Sequence, residues 1–195
     1  SIMHMDETSV QVMNEPGRKN TTISYMWVAS GGETGKKITL FSYAPTRSGK
    51  EAEQLVGDFK GFLQTDGYKG YNAIGNREGI THVGCLVHVR RKFIEASKSG
   101  NKKISGTAST ILGLIRRVYK IENGLMTDFT NKTITSEQFL EARQNHVKPL
   151  LDEIEKIMRE TQDKVPSTSL LGRAISYGLN QWQFVRHYLL CPLLT

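Results

Sequence analysis

Hydrophobic and polar residues alternate along the first third of the chain, which predicts β-strands. Every second residue from Ile2 to Val12 lies on one side of an extended ribbon, and Asp6 belongs to that series. β-Branched and aromatic residues fill residues 21–30 and 37–43, and turns rich in Gly or Pro separate the three segments. The pattern therefore predicts a three-stranded antiparallel meander.

The hydrophobic period changes after the meander. One apolar face recurs at helical spacing over residues 48–59, and Ser48 with Glu51 predicts a capping box at its start. Short apolar runs at residues 61–66 and 80–85 predict buried strands with a loop or short helix between them. This order indicates crossover connections that add parallel strands to the meander.

The rest of the chain has helical periodicity. The pattern predicts a helix at residues 85–98, a polar loop at 99–106, helices at 107–125 and 136–164, and a last helix that begins after Pro166 and Ser167. Pro149 lies inside the longest of these segments and predicts a kink or a boundary there. Trp27 and Trp182 are interpreted as core residues.

A meander followed by helix, strand, helix and strand is the element order of a ribonuclease H-like fold. We therefore predict an α/β protein with a mixed five-stranded sheet, whose central strand carries Asp6. Residues 1–98 are assigned to this core, residues 99–166 to a helical insertion, and residues 167–195 to a C-terminal helix that packs on the core.

Length and composition exclude several classes of protein. A chain of 195 residues fits one domain, with or without an inserted subdomain. No run approaches the roughly 18 apolar residues of a membrane span, and the first residues lack the pattern of a signal peptide. Cys85 and Cys191 are too few for a disulfide framework. We therefore expect a cytoplasmic protein without a membrane partner.

Positive charge is concentrated in one segment of the chain. The formal net charge is +7, and residues 85–120 hold nine basic residues against one acidic residue. Such a footprint favours a polyanion, although a solvated helix face without a partner is the alternative. The candidate DNA-binding residues are Arg90, Arg91, Lys92, Lys102 and Lys103. The first three point in different directions around one helix, so at most two face DNA together.

Two aspartates lie at strand positions where carboxylates are uncommon unless they are exposed, paired or bound to a cation. Asp6 lies inside the first strand, and Asp66 ends the fourth, before Gly67. If these strands are neighbours, the carboxylates lie within roughly 4–8 Å of each other, a separation that divalent cations can bridge. The alternative is that both are ordinary turn or surface residues.

Cys85 and His88 form a C-x-x-H pair at the start of a predicted helix. One interpretation is half of a zinc site, but no matching Cys/His pair is evident elsewhere and zinc takes four ligands. The favoured interpretation is a buried cysteine that His88 hydrogen-bonds and that supports a neighbouring active site.

The motifs MDETSVQV, QTDGYKGYN, GCLVHVRRKF and LNQW, in this order, resemble the catalytic core of insertion sequence 66-type transposases, a bacterial DDE group. The resemblance implies metal-dependent cleavage and transfer of DNA strands. It places the first two catalytic, metal-binding carboxylates at Asp6 and Asp66, with two Mg²⁺ (or Mn²⁺) ions, and Tyr68 and Tyr71 as walls of the site.

The same resemblance implies DNA partners, namely transposon ends and target. It also implies a homo-oligomer on DNA, no small-molecule substrate and a nucleoid location in a bacterial cytoplasm. The family's third carboxylate is a glutamate in a D-N-N-x-x-E-R segment beyond the N-Q-W helix. Here no acidic residue follows Trp182. We therefore expect a C-terminally truncated core that is inactive alone; the alternatives are a silent DNA-binding remnant and a ribonuclease H-like nuclease.

Overall fold

The computed structural model describes residues 1–33, 36–98 and 102–194, and for residues 33 and 102–105 it describes the backbone alone. The chain divides into two compact units, residues 1–83 and 84–195. None of the helices in the described ranges is long and apolar enough to cross a membrane. The predicted boundaries of the helical insertion, residues 99 and 166, stay a prediction.

The first unit is built on a five-stranded mixed sheet with Asp6 in its central strand. Its strands are β1 (Ile2–Gln11), β2 (Ile23–Glu33), β3 (Lys36–Ala44), β4 (Gly61–Thr65) and β5 (Ile80–Gly84). Their spatial order is β3-β2-β1-β4-β5. Strand β1 pairs antiparallel with β2 and parallel with β4. The predicted ribonuclease H-like α/β fold and the central position of β1 are confirmed.

Strand alternation sends one face of β1 into the core of the first unit. Met5 is buried with Trp27 and Leu63 from the two neighbouring strands, and Met3 packs against this cluster. The helices α1 (Gly49–Val56) and α2 (Asn72–Gly75) contribute buried side chains to the same core. This packing fixes which residues of β1 face inward and leaves Asp6 exposed on the opposite face.

The second unit is helical. Its helices are α3 (Leu86–Ser97), α4 (Lys102–Thr130), α5 (Ser136–Ala142), α6 (Lys148–Gln162) and α7 (Leu170–Arg186). Helix α3 packs against α4 and α7, and α6 packs against the same two helices. Their apolar faces bury Phe93, Ile115, Ile154 and Trp182. The interpretation of Trp27 and Trp182 as core residues is therefore confirmed.

Arg143 is a fully buried cation in the π-helical turn Arg143–Val147 between α5 and α6. Its guanidinium lies 2.7 Å from a carboxylate oxygen of Glu122. It also donates hydrogen bonds to the carbonyl oxygens of Tyr188, Cys191 and Leu194 at 2.6–2.7 Å. One side chain thus connects α4 with the segment that follows α7.

Two local predictions were wrong. Ser48 precedes α1 but its side chain makes no capping hydrogen bond, so the predicted box with Glu51 is absent. A complete capping box forms instead at Thr135 and Gln138. Helix α4 already begins at Lys102, inside the predicted polar loop, because adding a turn to a long helix costs little once it is nucleated.

The last helix begins after Pro166 and Ser167, as predicted. Helix α7 begins at Leu170, with Ser169 as its N-cap. The Ser169 hydroxyl accepts the backbone N–H of Gly172 at 3.0 Å. The boundary predicted near Pro149 is confirmed, because this proline lies in the first turn of α6, where its missing N–H is harmless.

Candidate functional site

Asp6 and Asp66 lie side by side at neighbouring strands of the first unit. The parallel register pairs Ile2 with Phe62 and His4 with Gln64, and its continuation brings Asp6 opposite Asp66. Carboxylate oxygens of the two residues lie within 4.8 Å of each other. The structure therefore brings together the two acidic residues that the sequence predicted to be close.

Backbone hydrogen bonds fix both carboxylates. Oδ1 of Asp6 accepts the N–H of Glu7 at 2.9 Å, and Oδ1 of Asp66 accepts the N–H of Tyr68 at 2.8 Å. Asp6 is exposed, whereas the Asp66 side chain is 18% exposed. Carboxylate oxygens are the hard ligands that Mg²⁺ and Mn²⁺ prefer, so the pair fits one divalent cation at an accessible position.

The neighbouring carboxylate of Glu7 is buried, and it was not among the predicted site residues. Its side chain is only 2% exposed. Nε of Arg47 donates to Glu7 Oε1 at 2.7 Å, and Nη2 donates to the same oxygen. The hydroxyl of Tyr71 donates to Oε2. Arg47 and Tyr71 thus satisfy both oxygens of this buried acid.

Arg47 connects the buried acid to the candidate metal ligands. Its Nη2 lies 3.9 Å from Oδ2 of Asp66. Its guanidinium lies over the Tyr68 ring, 3.9 Å from the ring centroid, and the Tyr68 hydroxyl donates to the Arg47 carbonyl oxygen. Burial lowers the pKa of Arg47, but the hydrogen bond and negative charge of Glu7 outweigh it and raise that pKa. Arg47 is therefore a permanent cation.

Three aromatic rings form a wall behind this cluster. Trp27, Tyr68 and Tyr71 pack pairwise with ring centroids 5.8–6.5 Å apart. Burial raises the pKa of Tyr71, and the adjacent charge of Glu7 raises it further, so the hydroxyl stays a donor. Gly70 is required here, because a Cβ at that position would lie 2.2 Å from the Tyr68 ring. The role of Tyr68 and Tyr71 as walls of the site stays a prediction.

The sequence holds one signal that would have identified Glu7. Residues of a half-buried strand alternate between its faces, so a glutamate next to an exposed Asp6 faces inward and requires a partner. No comparable signal identifies Arg47, because it lies in a turn before α1, 40 residues from Glu7. Only the folded chain brings the two together.

Cys85 and His88 lie at the start of α3 in the second unit, and Cys85 is the N-cap residue. Burial raises the pKa of the partly buried Cys85 thiol, but hydrogen bonds from the side chain and backbone of His88 outweigh it and lower that pKa. This contact supports the hydrogen-bonded interpretation of the pair. Support of an active site by these two residues stays a prediction.

We expect His88→Ala to slow alkylation of Cys85 by iodoacetamide at pH 7, by several-fold, in a Cys191→Ser background. The thiolate is the reacting form, and loss of the His88 hydrogen bond raises the thiol pKa and reduces the thiolate fraction. Rates measured between pH 6 and pH 10 should converge at the alkaline end, where Cys85 is ionised both with and without His88. Parallel rate profiles at every pH would contradict this explanation.

The candidate DNA-binding side chains Arg90, Arg91 and Lys92 are exposed on α3. Lys92 lies 3.9 Å from Glu95, an exposed pair one helical turn apart. The side chains of Lys102 and Lys103 lie outside the described part of the structure. Arg116, Arg117 and Lys120 add exposed positive charge on α4, which packs against α3.

Comparison with known proteins gives a match along almost the entire chain. The family model described as Transposase IS66 family matches residues 1–193. Two similar proteins come from Sinorhizobium fredii and are described as the uncharacterized proteins y4jD and y4qI. The first is 27% identical over 94% of this chain and the second 25% identical over 94%.

The chain spans about a third of the length of these relatives, 36% of y4jD and 34% of y4qI. No solved structure matches the chain significantly. The match with the family model covers both units, including Asp6 in β1, Asp66 after β4 and the helix that carries Arg90.

Proposed function

This chain belongs to the IS66 family of transposases, and we propose that Asp6 and Asp66 are the metal-binding carboxylates at which the protein cleaves and transfers DNA strands. Family membership supports a transposase. The metal site, the DNA partner and the roles of individual residues are the proposed parts, because the relatives are about three times as long as this chain.

The separation of the two aspartates carries the proposal. Carboxylate oxygens within 4.8 Å of each other repel when both groups are ionised, and a cation between them removes that repulsion. Arg47 neutralises Glu7 with two hydrogen bonds and reaches Asp66 only at 3.9 Å. Asp6, which is exposed, is thus the acid best placed to share a divalent cation with Asp66.

The residues of the site hold the ligand oxygens in place. Asp6 and Asp66 would each supply an oxygen to Mg²⁺ or Mn²⁺, and their backbone hydrogen bonds keep those oxygens from rotating away. When bound, such an ion polarises a phosphoryl oxygen and activates water or a 3′-hydroxyl. Tyr68 and Tyr71 pack edge to face, and their hydroxyls donate to the Arg47 carbonyl oxygen and to Glu7, which holds these neighbours of the pair in place.

We propose that α3 is the main DNA-binding element of the second unit. Its exposed Arg90 and Arg91 belong to the segment 85–120, which holds the net excess of positive charge. Phosphate contacts of this kind bind without sequence preference and release counterions. Such contacts position DNA, and the selection of transposon ends requires other groups.

Arg90→Ala combined with Arg91→Ala is expected to flatten the salt dependence of DNA binding. Each lost phosphate contact removes about 0.9 from the slope of log K against log salt, so the double variant should lose about 1 to 2. Fluorescence anisotropy with a duplex of arbitrary sequence measures the slope between 50 and 200 mM salt. Arg159→Ala combined with Lys164→Ala removes equal charge elsewhere, and an unchanged slope in the α3 variant would contradict the proposal.

Nicking of supercoiled plasmid DNA in Mn²⁺ tests the proposed function. We expect Asp66→Asn to abolish the nicking that the unaltered protein shows, because this change removes one of the two charges that would hold the cation. Asp58→Asn is the matched control, since Asp58 is an exposed carboxylate of the same unit, and it should leave nicking unchanged. Nicking that survives Asp66→Asn would contradict the proposal.

A further inference from the structure

The Arg47 guanidinium is held by contacts along one edge and on one face, and its other edge is accessible. Its Nε and Nη2 both donate to Glu7, and its flat face lies on the ring of Tyr68. Among the described residues, no hydrogen bond uses its Nη1, and the Arg47 side chain is 38% exposed. The guanidinium is therefore oriented by the fold while donors remain accessible.

The position of this open edge is specific. Nη2 lies 3.9 Å from Oδ2 of Asp66, so the accessible donors lie beside the carboxylate pair. A planar guanidinium that is held on one edge and stacked on one face keeps its second edge for an anion, and phosphate oxygens match its geometry. The buried Glu7 fixes this orientation, because its other oxygen is held by Tyr71.

We propose that Arg47 binds a phosphate of the DNA backbone next to the Asp6–Asp66 pair, with Glu7 and Tyr68 as its positioning residues. The inference rests on the proposed function, since it assigns the phosphate to the DNA on which that site acts. It differs from a purely structural role, in which Arg47 would only neutralise Glu7 and steady Asp66. The two roles predict opposite effects on metal binding.

The test compares Arg47→Gln with Arg77→Gln in the full 195-residue chain. Arg77 is a cation of the same unit that donates to the Gly57 carbonyl oxygen. Anisotropy with a DNA duplex gives the salt slope, and titration with Mn²⁺ alone, without DNA, gives metal affinity. We expect Arg47→Gln to reduce the slope by about 0.9, with Arg77→Gln unchanged.

Metal affinity separates the two roles. Removing a cation close to Asp66 should leave Mn²⁺ affinity unchanged or raise it, because one positive charge no longer opposes the ion. An unchanged salt slope, an equal fall in Arg77→Gln, or a loss of Mn²⁺ binding together with the slope would each overturn the proposal. The last outcome would make Arg47 a positioning residue only.

Arg47→Lys keeps the test decisive if Arg47→Gln fails to fold. Lysine can still pair with Glu7 and neutralise one phosphate, but it lacks the planar fork. We expect the salt slope to be retained and DNA affinity to fall several-fold. Wild-type affinity in Arg47→Lys would overturn the proposal. A wild-type chain that binds DNA but no Mn²⁺ would overturn the proposed function. The salt slopes of wild type and Arg47→Gln would then still show whether Arg47 contacts a phosphate.

Discussion

Arg143→Met is expected to lower the free energy of unfolding by about 3–5 kcal/mol, the usual cost of breaking a buried ion pair. The guanidinium is fully buried, and Glu122 beside it is 13% exposed. Removal of Arg143 leaves that carboxylate without its cation and leaves three carbonyl oxygens without donors. These unpaired acceptors also destabilise the folded state, so we expect the loss at the upper end of this range.

Urea unfolding followed by circular dichroism measures this loss. Arg159→Met is the matched control, because Arg159 pairs with Glu155 on the exposed surface of α6 and its side chain is 64% exposed. The control should change the free energy of unfolding by about 1 kcal/mol or less. A loss in Arg143→Met no larger than the control's would show that the buried network contributes little.

The sheet was predictable because strand periodicity is a local signal. The alternation along β1 and the β-branched residues of β2 and β3 located the meander without tertiary information. The order of elements then placed β4 beside β1. The capping box predicted at Ser48 was wrong, because a suitable pair of residues does not fix the side-chain rotamer that makes the hydrogen bond.

The candidate site was predictable in part. Asp6 and Asp66 could be placed together because Asp6 lies in β1, Asp66 directly follows β4, and the two strands are neighbours. Arg47 could not be placed, because its partners depend on how the turn after β3 packs. The burial of Arg143 could not be predicted from the sequence either, because the helical pattern around it also fits an arginine at the surface.

Asp6→Asn and Asp66→Asn are each expected to weaken Mn²⁺ binding by at least tenfold. An amide keeps the shape of the side chain and one acceptor oxygen but loses the charge that attracts the cation. Loss even of groups that only orient metal ligands costs about 10- to 100-fold in affinity, and loss of a ligand charge should cost no less.

The most direct measurement of the central claim is a titration of the chain with Mn²⁺, followed by electron paramagnetic resonance of the free ion. Asp58→Asn serves as the control, because Asp58 is an exposed carboxylate of the same unit. We predict Mn²⁺ binding in the wild type and in Asp58→Asn, and its loss in Asp6→Asn and in Asp66→Asn. Binding that persists in both of those variants, or that is absent from the wild type, would contradict the assignment of this pair as the metal site.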